Sequence, residues 1–426
     1  MIIDFTVANY RSIRDPVTLS FVEVSPRKKR QLGSTRKRPI KTDDEISPAL
    51  DVPGWDFKLL RAAGIFGANA SGKSNVVRAL GAVIDLVEHG GAEALVREVA
   101  SPFLLSPEGK GAPTEFTLRV AVLGVSESRA IFTYRLVVRG AQIVEERLTE
   151  ERRDEVRLVF ERRAGAPPRS GDVLPAAMGE LLASLAPGAP FLRMLVENFD
   201  LPALRGLRDE FQTMLSAHEG RDVFLAGVAR VVLSNPKLEQ LNPRAASLLR
   251  DFDTGIAGFR LEPGPEKLQP RVVMRRDTPA GPVEWELDQE SAGTRRLFDL
   301  APAVLTALDF GGLVILDEFG SQLHPHITQR IVALFQNPAT NPRGAQLLFN
   351  THDNTLMRDN LLRRDQIWFT EKGLDGSTTL YPLADFKPRK DLAIDTAYLD
   401  GRMGAVPVLP PPEVMVPPPE ATEAKP

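Results

Sequence analysis

The string GANASGKS at residues 67–74 constrains the fold of this chain more than any other feature of its sequence. It consists of Gly67, four further residues, and then Gly72, Lys73 and Ser74. Glycines at these positions let backbone N–H groups turn inward around phosphate, a lysine here reaches the β- and γ-phosphates, and a serine hydroxyl binds Mg²⁺. The string therefore predicts a loop that holds the phosphates of a nucleotide.

The segments on either side of this loop have the patterns of a strand and a helix. Residues 59–66 are mostly apolar, and residues 75–88 carry apolar side chains every three or four positions. A strand, a glycine-rich loop and a helix in this order make a P-loop. The residues that we predict to bind the phosphates of ATP are Gly67, Asn69, Ser71, Gly72, Lys73, Ser74 and Asn75.

Two acidic residues end a second apolar strand. In LVILDEF, the strand predicted at 313–316 leads directly into Asp317 and Glu318. The carboxyl ends of parallel strands meet at one edge of a sheet, next to the phosphate-binding loop. Asp317 suits Mg²⁺, usually through water, and Glu318 suits the general base that orients the attacking water. Without a P-loop in the same chain, such a pair would indicate an N-cap or a solvated turn.

Two further motifs predict contacts with the γ-phosphate. His352 follows the strand predicted at 346–350, so its imidazole should lie at the same sheet edge. In ESAGTRRLF, Ser291 and Gly293 precede a helix predicted at 297–308, where a hydroxyl and exposed backbone N–H groups face an anion. The alternatives are a structural histidine and a simple N-cap.

The composition limits the class of protein. The absence of cysteine excludes disulfides, thiolate metal sites and cysteine nucleophiles, which fits a reducing compartment. No apolar run approaches the roughly 18 to 20 residues of a membrane span, and the N-terminus lacks a secretory leader pattern. We therefore expect a cytoplasmic protein with no membrane partner. The net charge of −3 gives no general attraction to nucleic acid.

The rest of the chain alternates between strand, loop and helix patterns. The first 24 residues predict an antiparallel hairpin that turns at Arg14, Asp15 and Pro16, and residues 25–51 are predicted to form a polar surface loop. Further strands are predicted at 114–123, 130–139, 143–150 and 157–162, helices within 179–252, and a hairpin at 271–287.

The order of the motifs GANASGKS, SAGT, LVILDEF, SQLHP and NTHD resembles the ABC-like ATPases of the RecF/SMC branch. More closely, it resembles bacterial AAA-labelled ATPases linked to abortive infection and anti-phage defence, including the ATPase subunits of Septu and PARIS systems. The likeness spans most of the chain, because it also takes in VANYRSIRDPVTLSF, FDTGI, RRDQIWFTEK and AYLDGRMGAVP. The late motifs favour this family over ABC transporters.

The resemblance implies an α/β fold built as an ABC-ATPase-like head. This head would combine a mixed sheet that carries the P-loop with an antiparallel β-subdomain, an inserted helical lobe and a disordered, proline-rich tail. The expected parts are the N-terminal half of the head at 1–170, with the β-subdomain at 114–163, the helical lobe at 171–260, the C-terminal half of the head at 261–404, and the tail at 405–426.

The resemblance also implies an ATPase whose sites are shared between chains. Ser291 and Gly293 of one chain would grip the γ-phosphate held by Lys73 of another, in a head-to-tail homodimer or a higher oligomer. ATP and Mg²⁺ chemistry would then gate a separately encoded effector, such as a nuclease or toxin. Two alternatives stay open: a RecF-like ATPase that maintains DNA, and a nucleotide-gated scaffold with little turnover.

The sequence departs from the family pattern at two places. Gly320 stands where the loop after the two acids often has an aspartate. No glutamine occurs between Asn75 and Gln142, so the usual Q-loop ligand of Mg²⁺ is missing. We expect groups within residues 102–114 to replace it.

Three smaller features have modest functional readings. Basic runs at 27–30 and 36–38 could contact phosphates, which makes nucleic acid a further candidate partner, although such a loop is more often simply solvated. The Asp251-Phe252-Asp253 segment has the spacing of a metal site, but we interpret it as structural. His324 and His326 are expected in a dimer-interface loop rather than in a metal site.

Overall fold

The computed structural model describes residues 1–24, 49–90, 93–124, 129–153, 155–217, 222–252, 254–266, 269–387, 389 and 392–411. Both basic runs, most of the loop predicted at 25–51, Asp253 and the tail from residue 412 lie outside the described residues. Within the described part of the chain, no helix is both long and apolar enough to cross a membrane.

The strands are numbered in chain order. They are β1 (Ile2–Ala8), β2 (Val17–Ser20), β3 (Leu50–Asp51), β4 (Lys58–Leu59), β5 (Ala62–Gly67), β6 (Thr114–Val122), β7 (Ala130–Arg139), β8 (Gln142–Arg152), β9 (Glu155–Arg163), β10 (Arg169–Ser170), β11 (Met214–Ala217), β12 (Gly258–Glu266), β13 (Gln269–Thr278), β14 (Gly281–Glu286), β15 (Leu313–Leu316), β16 (Gln346–Asn350), β17 (Ile367–Lys372) and β18 (Thr378–Pro382).

The α-helices are numbered in the same way. They are α1 (Lys73–His89), α2 (Glu93–Val99), α3 (Pro107–Gly111), α4 (Ala177–Ser184), α5 (Phe191–Asn198), α6 (Arg205–Gln212), α7 (Asp222–Ser234), α8 (Leu241–Asp251), α9 (Ala292–Phe310), α10 (Pro325–Gln336) and α11 (Ile394–Leu399). Short 3₁₀ turns lie at Pro202–Leu204, Pro236–Leu238, Leu287–Gln289, Asn354–Met357, Arg364–Gln366 and Leu383–Phe386.

A six-stranded sheet carries the phosphate-binding loop. Its order is β11-β15-β16-β5-β17-β18, and every neighbouring pair is parallel except β17 and β18. The strand before the loop, β5, therefore lies beside the strand that ends near His352, and β15 with its two acids is the next strand along. The strands predicted at 313–316 and 346–350 are confirmed with the same bounds.

A seven-stranded antiparallel sheet packs beside it, with the order β10-β9-β8-β7-β6-β1-β2. The predicted N-terminal hairpin is present as β1 and β2, and the strands predicted between 114 and 162 are present as β6 to β9. A third sheet, β12-β13-β14, contains the hairpin predicted at 271–287. The predicted α/β class, with a mixed P-loop sheet and an antiparallel sheet, is thus confirmed.

The six-stranded sheet separates two hydrophobic cores, because successive side chains of a strand point to opposite faces. Ala63, Ile65 and Leu348 lie in the first core, together with α1 and the antiparallel sheet. Phe66 and Phe349 lie in the second core, together with α9 and α10. Strands buried on both faces explain why the sequence shows them as continuous apolar runs.

The helices within 171–260 do not pack as one unit. Those before residue 213 contribute to the first core, whereas α7 and α8 contribute to the second core and pack on α9. Between the two groups, β11 joins the main sheet in parallel with β15. The helices predicted within 179–252 are therefore interrupted after Gln212, because pairing with β15 and burial of Met214 outweigh local helix propensity.

Candidate nucleotide site

The loop after β5 turns sharply into α1 at Gly72. The backbone of this glycine is left-handed, with a φ of 103°, and a Cβ added there would lie 2.1 Å from Thr378 Oγ1. Any other residue would therefore be strained and would also collide with β18. This close approach fixes the N-terminus of α1, where backbone N–H groups lack intrahelical acceptors and favour an anion.

The loop borders a cavity of about 800 Å³. The predicted residues that line this cavity are Asn69, Ser71, Gly72, Lys73, Ser74, Asn75, Glu318 and His352. The geometry thus brings residues from β5, β15 and β16 together, as expected from strands whose carboxyl ends meet at one edge.

Lys73 is folded back onto its own loop. Its Nζ donates hydrogen bonds of 2.9 Å to the carbonyl oxygens of Gly67 and Ala68. Burial lowers the pKa of Lys73 to about 8, against the opposing effect of the carboxylates of Asp317 and Glu318. A polyanion in the cavity would favour the charged ammonium still more, so this side chain is suited to bind phosphate.

One amide connects the two acids to the loop. Asn350 Nδ2 donates a short hydrogen bond to Asp317 Oδ1 and lies 3.4 Å from Ser74 Oγ. Its Oδ1 accepts a hydrogen bond of 2.8 Å from the backbone N–H of Glu318. Asp317 is buried, and its other carboxylate oxygen lies 3.7 Å from Arg78 Nε.

These contacts fit a Mg²⁺ site. Mg²⁺ takes oxygen ligands, commonly one or two from the protein with the rest from phosphate and water. Ser74 Oγ and the carboxylate of Asp317 both approach the same Asn350 amide, so the two oxygens lie on one side of the cavity. In the described residues there is no group of three acidic or histidine side chains that could hold a metal without such a phosphate.

Glu318 and His352 complete the cavity. Glu318 has a left-handed backbone with a φ of 52°, which is uncommon for a residue with a long side chain and is stabilised by its hydrogen bond to Asn350. Burial and the charge of Lys73 lower the pKa of His352, against the effect of Glu318, which favours the neutral imidazole. A neutral imidazole can donate one hydrogen bond to a phosphate oxygen.

Ser291 and Gly293 do not line this cavity. Ser291 is the exposed N-cap of α9, and its Oγ accepts a hydrogen bond of 3.1 Å from the backbone N–H of Thr294. Gly293 packs against the loop that follows Glu318, because an added Cβ would lie 2.7 Å from the carbonyl oxygen of Gln322. Within one chain, the structure therefore keeps this motif apart from the P-loop cavity.

The side chains of two residues that are predicted to contact phosphate form hydrogen bonds within the protein. The hydroxyl of Ser71 is buried and forms a 2.7 Å hydrogen bond with Thr370 Oγ1, so it anchors the loop to β17. Asn75 Nδ2 donates a 2.6 Å hydrogen bond to Ser12 Oγ, which links α1 to the N-terminal hairpin. Both residues remain part of the wall of the cavity.

The expected substitute for the missing glutamine does not lie in the wall of the cavity and stays a prediction. Residues 102–114, which the structure describes throughout, contribute nothing to the lining of the cavity. The side chain of Asn9 instead fastens this segment, through hydrogen bonds that include the carbonyl oxygen of Gly109 and the backbone N–H of Phe103. The turn that follows β1 therefore holds the segment in place. Ser12 of the same turn lines the cavity.

Besides Ala70 of the loop itself, the sequence analysis missed four residues that line the cavity: Ser12, Arg78, Asn350 and Lys372. Asn350 and Lys372 end β16 and β17, so the strand-end argument that selected His352 also applied to them. Arg78 lies four positions after Ser74 on α1, and helical spacing would have placed both on one face. Ser12 gave no local signal, because it enters the cavity from a hairpin of the other sheet.

Comparison with protein families places a match on the second half of the site. Residues 202–358 match the model of the family described as "AAA domain, putative AbiEii toxin, Type IV TA system". This segment is similar to an AAA domain. It includes Ser291, Asp317, Glu318 and His352, whereas the P-loop lies before it. Together with the geometry of the P-loop cavity, the match supports an AAA-like ATPase.

Comparison with curated protein sequences found no match. Among solved structures, the SmcHead bound to the C-winged helix domain of ScpA is 13% identical with a TM-score of 0.44, over 93% of this chain and 99% of that chain. The Smc head domain with a coiled coil and joint derived from Pyrococcus yayanosii is 12% identical with a TM-score of 0.42, over 91% of this chain and 99% of that chain.

Proposed function

We propose that this chain binds ATP with Mg²⁺ and hydrolyses it to ADP and phosphate. One observation carries the proposal: Lys73, Ser74, Glu318 and His352 line a single cavity, and Asp317 is hydrogen-bonded at its base. These groups supply a cation for the phosphates, oxygen ligands for Mg²⁺, a carboxylate base and a hydrogen-bond donor, which are the recurring parts of phosphoryl transfer.

Each group has a separate task in this scheme. Lys73 leaves the carbonyl oxygens of its loop and binds the β- and γ-phosphates, beside the N–H groups at the start of α1. Ser74 and Asp317 would hold Mg²⁺, which neutralises phosphate charge when it is bound. Glu318 accepts the proton of the attacking water, whose oxygen forms the new bond to the γ-phosphorus as the bond to ADP breaks. His352 donates a hydrogen bond to the γ-phosphate.

Two variants separate binding from hydrolysis. Glu318→Gln should retain ATP but turn it over at least ~100-fold more slowly, because only the base is lost. Lys73→Ala should lose ATP binding itself. The exposed Glu180→Gln serves as a matched control and should behave as the wild-type protein. The measurements are ATP affinity and phosphate release on purified protein, and near-normal turnover by Glu318→Gln would contradict the proposal.

We further propose that two chains meet head to tail, so that each P-loop cavity is closed by Ser291 and Gly293 of the other chain. The support is the exposure of Ser291 at the start of α9, together with the separation of this motif from the cavity of its own chain. The hydroxyl and the first N–H groups of α9 are donors suited to a γ-phosphate. A two-fold symmetric dimer would contain two such shared sites.

Mixed chains test the shared site. Lys73→Ala damages the cavity of its own chain, whereas Ser291→Arg damages the cavity of the neighbouring chain. A dimer of one copy of each contains one site with both lesions and one site with neither, so mixing two inactive proteins should restore ATP hydrolysis. If activity stays absent while heterodimers are shown to form, the shared-site model is wrong.

The proposed cellular role is to gate a separately encoded effector, such as a nuclease or toxin, in anti-phage defence. The family resemblance supports the defence setting, and the matched family description itself refers to a toxin. The motifs of the sequence account for nucleotide chemistry and for no damaging reaction, which implies a partner. Closure of the dimer on ATP would present or mask a surface that the effector reads, and hydrolysis would reset it.

A further inference from the structure

A set of contacts behind Ser291 has no role in the functions discussed so far. Trp285 lies on β14, and its Nε1 donates a 2.9 Å hydrogen bond to Glu290 Oε1. Glu290 Oε2 in turn accepts a 3.3 Å hydrogen bond from the backbone N–H of Ser291. Because each carboxylate oxygen has its own donor, Glu290 is held in one orientation at the start of α9.

The contacts continue away from Ser291 through an arginine. The guanidinium carbon of Arg276, on β13, lies 5.5 Å from the centre of the Trp285 ring, within the range of a cation–π interaction. Its Nη2 and Nε donate hydrogen bonds of 3.0 Å and 3.1 Å to the carbonyl oxygens of Thr254 and Gly255. Arg276 therefore connects Trp285 to the turn that follows α8.

That turn requires a glycine. Gly255 has a φ of 70°, and a Cβ added there would lie 3.2 Å from three atoms of the Arg276 guanidinium group. Thr254 is fixed as well, because its hydroxyl donates a 2.9 Å hydrogen bond to the carbonyl oxygen of Leu249 on α8. Thr254 and Gly255 thus supply the fixed end of the set of contacts.

We propose that Arg276, Trp285 and Glu290 are positioning residues for Ser291, which they hold ready for the γ-phosphate of the partner chain. The inference rests on the shared site proposed above. Ser291 is exposed, and an exposed helix start frays unless it is fixed. Donors that are fixed before the nucleotide arrives need no reorganisation when the transition state forms.

The same contacts also keep the negative charge of Glu290 from turning toward an incoming phosphate. An acidic residue directly before Ser291 would repel an incoming phosphate if its carboxylate were free to turn toward it. Trp285 Nε1 and the Ser291 N–H hold the two oxygens of Glu290, so the carboxylate remains directed at the protein. The Ser291 hydroxyl and the following N–H groups of α9 can then face the partner chain.

Three variants and a control test the role. Trp285→Phe removes the indole donor and keeps an aromatic ring, Glu290→Ala removes both acceptors, and Glu290→Gln keeps one acceptor oxygen. The control is Glu284→Gln on the same strand, where the carboxylate pairs with Arg260 on the surface. Thermal unfolding shows whether each variant folds, and the two substitutions at the half-buried Glu290 keep the test valid if Trp285→Phe does not fold.

The expected kinetic result is a loss of turnover without a loss of ATP binding. Misplacing Ser291 should lower kcat about 10- to 100-fold in Trp285→Phe and Glu290→Ala, a scale typical of small errors in the position of a reacting group. ATP affinity should change less than about twofold, because the P-loop cavity of the chain is intact. Glu290→Gln should retain more activity than Glu290→Ala. Unchanged kcat in both Trp285→Phe and Glu290→Ala overturns the proposal.

Mixing the chains gives a readout that a general structural defect would not produce. Trp285→Phe should recover activity with Lys73→Ala, because one site is then free of lesions, and should not recover with Ser291→Arg. Recovery with Ser291→Arg but not with Lys73→Ala would assign Trp285 to the cavity of its own chain and overturn the positioning role alone. Failure of the reference mixture of Lys73→Ala with Ser291→Arg would instead overturn the shared site, and the positioning role with it.

Discussion

Asn350 shows how much of the cavity depends on one uncharged side chain. Its amide group contacts Asp317, Ser74 and the backbone N–H of Glu318, so it orients the proposed Mg²⁺ ligands and the proposed base relative to each other. Its position at the end of a buried strand makes that amide rigid, since β16 is paired on both sides. The arrangement is that of a residue that supports metal ligands without being one.

Replacement of this amide should weaken the binding of Mg²⁺ more than the affinity for nucleotide alone. We expect Asn350→Ala to need about 10-fold more Mg²⁺ for half-maximal ATP hydrolysis, because loss of a supporting hydrogen bond commonly costs 10- to 100-fold in metal affinity. Mg²⁺ titrations of ATP binding and of phosphate release measure the change. The exposed Asn198→Ala is the control, and an unchanged Mg²⁺ requirement in Asn350→Ala would refute the assignment.

At the scale of the element, α1 combines the phosphate site with an unusual amount of buried charge. The helix runs from Lys73 to His89 between the two sheets, and most of its side chains are buried. Two acids lie near its C-terminus. Burial, with a smaller effect of the neighbouring Asp85, raises the pKa of Glu88 from 4.5 to about 8. Folding therefore favours the protonated form of Glu88 at neutral pH.

The carboxyl of Glu88 makes the stability of the protein depend on pH. Between pH 4.5 and 8 the folded chain holds a proton that the unfolded chain has released, so the free energy of unfolding falls as pH rises, by at most about 1.4 kcal/mol per pH unit from this group. Glu88→Gln should remove that slope and gain stability relative to wild type from pH 5 to pH 8. Denaturant unfolding of the variant and the wild-type protein, at pH 5 and at pH 8, measures the difference in their free energies of unfolding.

The matched control for this test is the exposed Glu180→Gln. It should leave the pH dependence of unfolding as it is in the wild-type protein. A Glu88→Gln protein whose stability relative to wild type is the same at pH 5 and pH 8 would show that Glu88 is not protonated in the folded state.

At the scale of the whole molecule, the sites depend on how distant segments assemble. Gln346 joins the two large sheets, since its side chain accepts a 2.6 Å hydrogen bond from Ile2 N and donates one of 2.9 Å to Ile2 O. The helices of 171–260 divide between the two cores, and β11 extends the main sheet from within this range. The division of the chain at residues 170 and 260 stays a prediction.

The proposed defence role predicts a result for cells. The gene for this chain and the neighbouring gene that would encode the proposed effector should protect bacteria from phage only when both are expressed. The reason is that this chain supplies nucleotide switching and the effector supplies the damaging reaction. Protection should disappear with Lys73→Ala and with Glu318→Gln. Plating a panel of phages on cells that carry one gene, both genes or each variant measures the degree of protection. Full protection by this gene alone would place the damaging reaction within this chain.

The sequence by itself determined the features that are local. Gly72, Lys73 and Ser74 belong to one strand, loop and helix, and the apolar runs before Asp317 and His352 are contiguous, so periodicity and spacing were enough to predict them. The strand ends could also be placed together, because parallel pairing follows from the fold class.

Only the tertiary structure decided the features that join distant parts of the chain. Ser12 reaches the cavity from the antiparallel sheet, β11 interrupts a helical pattern, and Trp285 holds Glu290 behind Ser291. Each of these contacts depends on where the cores bring two segments together. Local propensity carries no information on which distant segments come together, because packing of the whole chain outweighs the preferences of any short stretch.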